Sequence, residues 1–230
     1  ITMEIILGIA VGIGLSAACG FRIFVPLLIM NLAALSGQIQ LPAGFAWIGG
    51  AYATTAFACA TLIEVLGYYI PGIDHMLDII ATPAAIIAGT ITTASMSMDL
   101  SPFLKWTLAL IAGGGIAGLV QGSTVALRAK SSVTTAGTGN VIVATLELIG
   151  AVVIAVMAIL LPVVCLAVIL LFIALVFKKA GVLFVNLHVE SRVVYVIDNS
   201  DRAGVGIFRR HIQLGPTAAS QQDKNTHHEY

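Results

Sequence analysis

Residues 64–99 decide the fold class of this protein. They read EVLGYYIPGIDHMLDIIATPAAIIAGTITTASMSMD, in which four carboxylates and one histidine are set among apolar side chains. A helix of about 20 mostly apolar residues crosses the hydrocarbon core of a bilayer, and this stretch can hold one. Carboxylates in or beside such a helix are costly, and they usually face a bundle interior, a partner or a water-filled path. The acidic residues here therefore carry the functional hypotheses.

The composition of the whole chain indicates an integral membrane protein. Its 230 residues are 59% hydrophobic and 10% charged, and the mean hydropathy is +1.03, whereas a typical soluble domain is about 25% charged. Ten charged side chains lie in residues 1–177 and twelve in residues 178–230. The sequence therefore predicts a transmembrane domain over residues 3–177 and a polar C-terminal tail over 178–230, which we expect to be poorly ordered.

The first and last apolar stretches are the hardest to divide into helices. Residues 3–36 are too long for one straight span and short for two, so either two helices meet at Gly20–Arg22 or one span is followed by a re-entrant piece. Small residues between Gly8 and Gly20 predict a face on which another helix packs closely. Residues 141–177 would measure about 55 Å as one helix, so a turn or strong kink is expected near Pro162.

Three more spans are predicted in the middle of the chain. They lie at about 49–70, 74–98 and 105–127, and residues 128–140 then form the longest polar loop. The glycine-rich run Gly113–Gly118 is interpreted as a helix-packing surface, because no strand precedes it as a phosphate-binding loop would require. The resulting fold class is an all-α polytopic transmembrane bundle of six to seven spans.

The basic residues predict the orientation of this bundle. Lys and Arg concentrate in cytoplasmic loops, so Arg128, Lys130 and Lys178 place residues 128–140 and the C-terminus inside. Counting back places residues 71–75 inside, and residues 37–48 and 99–105 outside. Arg22 lies inside if the first stretch is two helices, which favours seven crossings.

Two pairs of similar sequence segments, which we call echoes, suggest two weakly similar halves. ATLIEVLG at residues 60–67 is similar to ATLELIG at 144–150, and glycines 12, 14 and 20 are similar to glycines 114, 115 and 122. The first echo places Glu64 and Glu147 at similar positions, and inverted repeats with a site at their interface are common in transporters. The spacing between the echoes differs, so chance similarity between apolar helices explains them equally well.

Four ordered segments resemble a known family. They are GLSAACGFRIFVPLL at 14–28, YYIPGIDHMLDIIATPAA at 68–85, AGGGIAGLVQG at 112–122 and GTGNVIVATLE at 137–147. Over about residues 3–177 the chain resembles the bacterial integral-membrane family catalogued as domain of unknown function 4126. The resemblance implies a multi-pass protein of the bacterial inner membrane and no particular activity. The family pattern has Gly-Asn-Pro where this chain has Gly139-Asn140-Val141, and residues 180–230 do not resemble the family's short basic end.

Five charged residues are expected to line one polar path. Asp74 and Asp78 share a helix face, Glu64 lies one tight turn away, and Glu147 lies deep in its own span, with Arg22 as the counter-charge. Hard oxygen donors of this kind suit Mg²⁺ or Ca²⁺, or a proton relay if one carboxylate stays neutral. Alternatively, Asp74 caps a helix and Asp78 favours its dipole, and the two glutamates belong to structural ion pairs. The supporting residues are His75, Thr82, Pro83, Asp99 and Asn140.

Three functions remain open on this reading. The first is a small transporter or channel-like protein, the second a non-catalytic scaffold or partner-binding subunit, and the third an interfacial lipid-modifying enzyme with His75 and the aspartates at the membrane surface. No hydrolase, metalloprotease, P-loop or dinucleotide motif is present, so no cofactor is expected. Cys19, Cys59 and Cys165 are interpreted as small buried apolar residues. The expected partners are the lipid bilayer and a small solute or cation; nucleic acid is not expected because no basic patch is present, and homo-oligomerisation stays open.

Overall fold

A computed structural model describes residues 2–70, 72–97, 100–135 and 137–178. Every regular element in these residues is a helix, so the predicted all-α class is confirmed. In chain order they are α1 (Thr2–Cys19), α2 (Phe24–Leu35), a 3₁₀ helix (Ala43–Gly49), α3 (Ala51–Tyr68), α4 (Ile73–Met96), α5 (Pro102–Leu108), a π-helical segment (Ala109–Gly114), α6 (Gly115–Thr135), α7 (Asn140–Leu160) and α8 (Pro162–Lys178).

The lengths of these helices fit a membrane bundle. Four of the described helices are long and apolar enough to cross a membrane: α3, α4, the continuous helix Pro102–Thr135 and α7. Three shorter apolar helices, α1, α2 and α8, accompany them. The residues up to Ala174 form one compact unit. Most of the predicted polar tail, from residue 179 onward, lies outside the described residues.

Helix α1 is the centre of the packing, because its small residues let neighbouring helices approach closely. A Cβ added to Gly12 would lie 2.9 Å from the Thr93 Cα, and one added to Gly20 would lie 2.6 Å from the Ala117 carbonyl oxygen. Such distances are possible only for glycine, so α4 and α6 contact the α1 backbone directly. The predicted small-residue face of the first helix is confirmed.

The glycine-rich run also serves packing, as predicted. Gly113 lies in the π-helical segment, where an added Cβ would meet the Gly89 carbonyl oxygen of α4 at 2.5 Å. A π-helical segment disturbs the regular backbone hydrogen bonds, and here the Ser16 hydroxyl donates to the Gly113 carbonyl. The backbones of α1, α4 and the π segment therefore meet near the middle of the bundle.

The polar loop predicted at residues 128–140 is wrong in its extent. Helix α6 continues to Thr135, because serine, threonine and lysine side chains can extend a helix beyond the apolar region. The hydroxyls of Thr134 and Thr135 donate to carbonyls of the preceding turn, Lys130 and Ser131. The turn predicted near Pro162 is present at Leu161. There the chain reverses sharply enough to bring the Cys165 Sγ within 3.7 Å of the Ile154 carbonyl oxygen, whereas a straight helix would separate these residues by about 16 Å.

The turns lie at two ends of the bundle. The turn between α1 and α2, the turn after Tyr68 and the turn before Asn140 share one end, which we call the Arg22 end. At the opposite end, Phe45 of the 3₁₀ helix lies near Trp106 of α5, with ring centroids 6.2 Å apart. The helices thus alternate in direction, as the sequence predicts; the side of the membrane that each end faces stays a prediction.

Candidate functional site

Arg22 enters the bundle from the turn between α1 and α2. Its side chain is 1% exposed, so its charge must find partners inside the protein. The Nη2 atom donates to the Ala144 carbonyl oxygen at 3.0 Å and lies 3.5 Å from Glu147 Oε2. Arg22 therefore ties the α1–α2 turn to α7.

Arg128 reaches the same place from α6. It is 2% exposed, its Nη1 atom lies 3.2 Å from Asp78 Oδ1, and its Nη2 atom pairs with Glu147 Oε2. Glu147 is thus shared by both arginines, whereas Asp78 pairs with Arg128 alone among the described residues. Through these pairs α6 is linked to both α4 and α7.

Tyr68 lies between the charged groups. The guanidinium carbons of Arg22 and Arg128 lie 3.8 Å and 4.1 Å from the centre of its ring, within the range of cation–π attraction. Its hydroxyl donates to Asp78 Oδ1 at 3.2 Å. We call this set the arginine–carboxylate network; its members are Arg22, Tyr68, Asp78, Arg128 and Glu147.

The network is electrically balanced and incompletely hydrogen-bonded. Two guanidinium groups face two carboxylates, so removing one charge leaves another buried without compensation, which is expensive in a low-dielectric interior. Arg22 Nε and Nη1, Arg128 Nε and Glu147 Oε1 are buried and have no hydrogen-bond partner among the described residues. Buried polar atoms are usually satisfied, so these atoms are hydrogen-bonding capacity that the described residues leave unused.

Glu64 is adjacent to the network but makes different bonds. Its Oε1 atom accepts the backbone N–H of Ile23 at 2.8 Å, and its Oε2 atom accepts that of Phe24 at 3.1 Å. These N–H groups open α2 and have no intrahelical partner. A carboxylate also suits the positive end of the helix dipole. Glu64 of α3 therefore caps α2 from another helix.

Asp74 lies at the Arg22 end of the bundle and is only 3% exposed. Its Oδ1 atom accepts the N–H groups of Gly72 and His75, each at 2.9 Å, and Asn140 Nδ2 donates to its Oδ2 atom at 2.8 Å. The suggestion that Asp74 is the N-cap residue needs correction. Gly72 occupies that position, with φ of 92°, and Asp74 is the second residue of α4. A positive φ suits glycine, and the aspartate bonds back to the cap from within the first turn.

His75, Asp78 and Thr82 follow one another along one face of α4. Together with Ile79, Val125 and Ala129 they line a groove of about 410 Å³. The Thr82 hydroxyl donates to the Asp78 carbonyl oxygen at 2.9 Å. Pro83 lies within α4 and lacks an N–H, so the Ile79 carbonyl loses its usual helix donor.

The structure therefore separates the predicted path residues into groups. Arg22, Asp78 and Glu147 meet in the network, whereas Glu64 and Asp74 each bind backbone N–H groups beside it. Asn140 contacts Asp74, and Asp99 lies outside the described residues. Within the described residues no group of three or more His, Cys, Asp and Glu side chains is arranged to hold a metal ion.

Sequence reasoning missed Arg128 and Tyr68. From the sequence, Arg128 is interpreted as a loop charge and Tyr68 is given no role. A helical period could have identified the arginine, because the buried positions of α6 recur at Ala117, Val120, Gln121, Thr124 and Arg128. Extending that period past the expected helix end places Arg128 on the inner face. No comparable signal distinguishes Tyr68 from Tyr69.

The comparison with known families decides the relationship of this chain. The profile of the family described as domain of unknown function (DUF4126) matches residues 9–180, which include every residue of the network. The chain belongs to the DUF4126 family. No curated protein and no solved structure is significantly similar to it. For this DUF4126 protein, function must therefore be argued from the site.

Proposed function

We propose that this DUF4126 protein is a small ion-coupled transporter and that the arginine–carboxylate network is a gate at its Arg22 end. The supporting observation is that the network joins five separate segments through buried ion pairs and hydrogen bonds: the α1–α2 turn, α3, α4, α6 and α7. Ionisable residues inside membrane proteins commonly belong to ion pathways and proton relays.

Protonation of one carboxylate would release this gate. With Asp78 neutral, Arg128 loses one of its two anionic partners, and α4 loses its charged link to α6. With Glu147 neutral, both arginines lose the partner that they share, and α7 is released. A bistable set of helix contacts of this kind is what an alternating gate requires.

A scaffold or partner-binding subunit is the second candidate, and a specific observation favours it. Both oxygens of Glu64 accept backbone N–H groups, and Asp74 accepts two more. These two acids therefore have complete structural roles without any solute. We accordingly assign the gate to Asp78 and Glu147 and the capping roles to Glu64 and Asp74. A lipid-modifying enzyme has less support, because the hydroxyl of Thr82 in the groove beside His75 is already bound to a backbone carbonyl.

The wider assignments belong to the same proposal. We place the protein in the bacterial inner membrane, with the Arg22 end and the C-terminus in the cytoplasm, because the positive-inside rule favours that orientation. The relationship between the two sequence halves, with Glu64 and Glu147 as counterparts, also stays a prediction.

The test is proton flux in liposomes. The purified protein is reconstituted with a pH-sensitive dye inside, and a pH gradient is applied across vesicles of the wild type, Glu147→Gln and a Lys130→Gln control. Lys130 is exposed on α6, two residues from Arg128. We expect flux above that of empty liposomes and no reduction in the control. In Glu147→Gln we expect a reduction of about tenfold or more, equal to about 1.4 kcal/mol, because a permanently neutral side chain cannot take up and release the proton that closes and opens the gate in turn. Wild-type flux no greater than that of empty liposomes would refute proton coupling.

A further inference from the structure

The groove between α4 and α6 meets the network at Asp78. Its volume is about 410 Å³, and its polar lining is His75, Asp78 and Thr82. His75 and Ala129 are exposed, whereas Asp78 is 7% exposed. The groove therefore connects an exposed histidine to a largely buried carboxylate.

The two oxygens of Asp78 have different surroundings. Oδ1 accepts the Tyr68 hydroxyl and pairs with Arg128. Oδ2 accepts no hydrogen bond from the described residues, and it is not one of the fully buried unsatisfied atoms. Because Asp78 lines the groove, Oδ2 is the oxygen that remains available there. Asp78 thus uses one oxygen for the ion pair, and its other oxygen, in a residue that lines the groove, has no protein partner among the described residues.

We propose that this groove is the proton entry route of the protein, with His75 as the relay and Asp78 Oδ2 as the first buried acceptor. The inference rests on the proposed function, because it names the proton as the coupled ion. The His75 imidazolium gives its proton to the Asp78 carboxylate, directly or through water. Neutral imidazole and neutral carboxylic acid result, and a hydronium ion or protonated buffer in the surrounding solution then protonates the imidazole again, leaving water or the buffer base.

The spacing along α4 suits such a relay. Residues three or four positions apart lie on one helix face, which places His75, Asp78 and Thr82 in successive turns. Imidazole is the side chain best suited to exchange protons near neutral pH. On the other side of Asp78 along α4, the Thr82 hydroxyl donates to a backbone carbonyl oxygen. It therefore does not compete with His75 for the Asp78 carboxylate.

The groups facing the relay determine what the proton changes. Asp78 faces Tyr68 from α3, Arg128 from α6, and Asp74 and His75 on its own helix; Glu147 of α7 acts through Arg128. Arrival of a proton leaves two guanidinium groups facing one network carboxylate, so the network becomes positive by one charge. The link between α4 and α6 is then the one that weakens.

The first experiment asks whether the groove is wet. In liposomes, and in a background with Cys19, Cys59 and Cys165 replaced by alanine, Thr82→Cys and Ile80→Cys are treated with a water-soluble methanethiosulfonate. Ile80 lies at a similar depth on α4 but lines an apolar groove with Ile63 and Leu77. We expect Thr82→Cys to react at least about tenfold faster, because thiolate forms only where water reaches the sulfur. Equal or slower labelling of Thr82→Cys would overturn the inference.

The second experiment follows the proton itself. Time-resolved infrared spectroscopy after release of a caged proton records the carboxylic acid band that disappears in Asp78→Asn. We expect this band to rise about tenfold more slowly in His75→Gln, the loss of a positioned proton-transfer group, and to recover in imidazole buffer. Recovery separates a relay from a structural role, and an unchanged rate in His75→Gln refutes the relay.

Failure of this inference and failure of the transport proposal give different results. A dry groove and an unchanged infrared rate, with proton flux intact, would exclude this route and leave transport by another. A wet groove and a rescued infrared rate, with wild-type flux no greater than that of empty liposomes, would remove transport and leave a proton-binding site at Asp78.

Discussion

Replacement of Arg128 by methionine tests whether the ion pairs of the network are those described above. Methionine keeps much of the apolar volume of arginine and removes its charge. Removing one partner from a buried ion pair typically costs about 3–5 kcal/mol. We expect Arg128→Met to lower the free energy of unfolding by an amount in that range, because it leaves two acids, Asp78 and Glu147, with fewer cationic partners.

The two acids should lose different amounts of electrostatic stabilisation in Arg128→Met. Glu147 Oε2 retains Arg22 at 3.5 Å, whereas the partner that Asp78 retains among the described residues is the Tyr68 hydroxyl at 3.2 Å. In the Arg128→Met background, neutralising Asp78, which has lost its cationic partner, should therefore restore more stability than neutralising Glu147, which keeps Arg22. We expect Asp78→Asn to recover about 2 kcal/mol and Glu147→Gln less than about 1 kcal/mol, as the coupling energies of residues in one network allow.

The measurement is reversible unfolding in mixed detergent micelles, followed by circular dichroism of the helices. Lys130→Met is the matched control, since Lys130 is exposed on the same helix and such substitutions usually change stability by less than about 0.5 kcal/mol. If the two second substitutions recover the same free energy of unfolding, or if Glu147→Gln recovers more, then Arg22 does not stabilise Glu147. That result would refute the ion pairs described above.

Three further predictions follow from individual contacts. Glu64→Gln should lower the free energy of unfolding by about 1–2 kcal/mol, because one amide oxygen replaces two carboxylate acceptors at the start of α2. It should nevertheless reduce proton flux in liposomes less than Glu147→Gln does. An equal loss of flux in the two variants would place Glu64 in the path. Asp74→Asn and Asn140→Asp should each lower the melting temperature, and the double variant should recover it because the hydrogen bond is restored with its partners exchanged; no recovery would contradict the pairing. Gly89→Ala should destabilise the protein by about 1–3 kcal/mol, since its Cβ would lie 2.6 Å from the Ala117 Cβ. Gly115→Ala, with open space around it, should be neutral or stabilising in the same thermal unfolding assay.

Hydropathy and glycine spacing predicted much of the fold because they act locally. The lengths of apolar runs located α3, α4 and α7, and the small residues of α1 identified its packing face before its neighbours were known. The end of α6 was misplaced because polar composition does not stop a helix. Only the burial of Arg128 against two acids from other helices explains why a charged residue near that end points inward.

The sequence was sufficient to nominate the candidate residues of the site. It was not sufficient to predict which of them form ion pairs and which accept backbone N–H groups. The rarity of charge in an apolar chain is a property of the sequence, and it was sufficient to nominate Arg22, Asp78 and Glu147. Which carboxylate meets an arginine and which meets a backbone N–H depends on how helices distant in the chain approach one another. Glu64 and Glu147 have similar local sequences, yet one caps α2 and the other bridges two guanidinium groups. Composition therefore determined a membrane bundle with costly buried charges, and only the tertiary arrangement decided how each charge is compensated, because compensation requires atoms a few ångströms apart that the chain brings together only on folding.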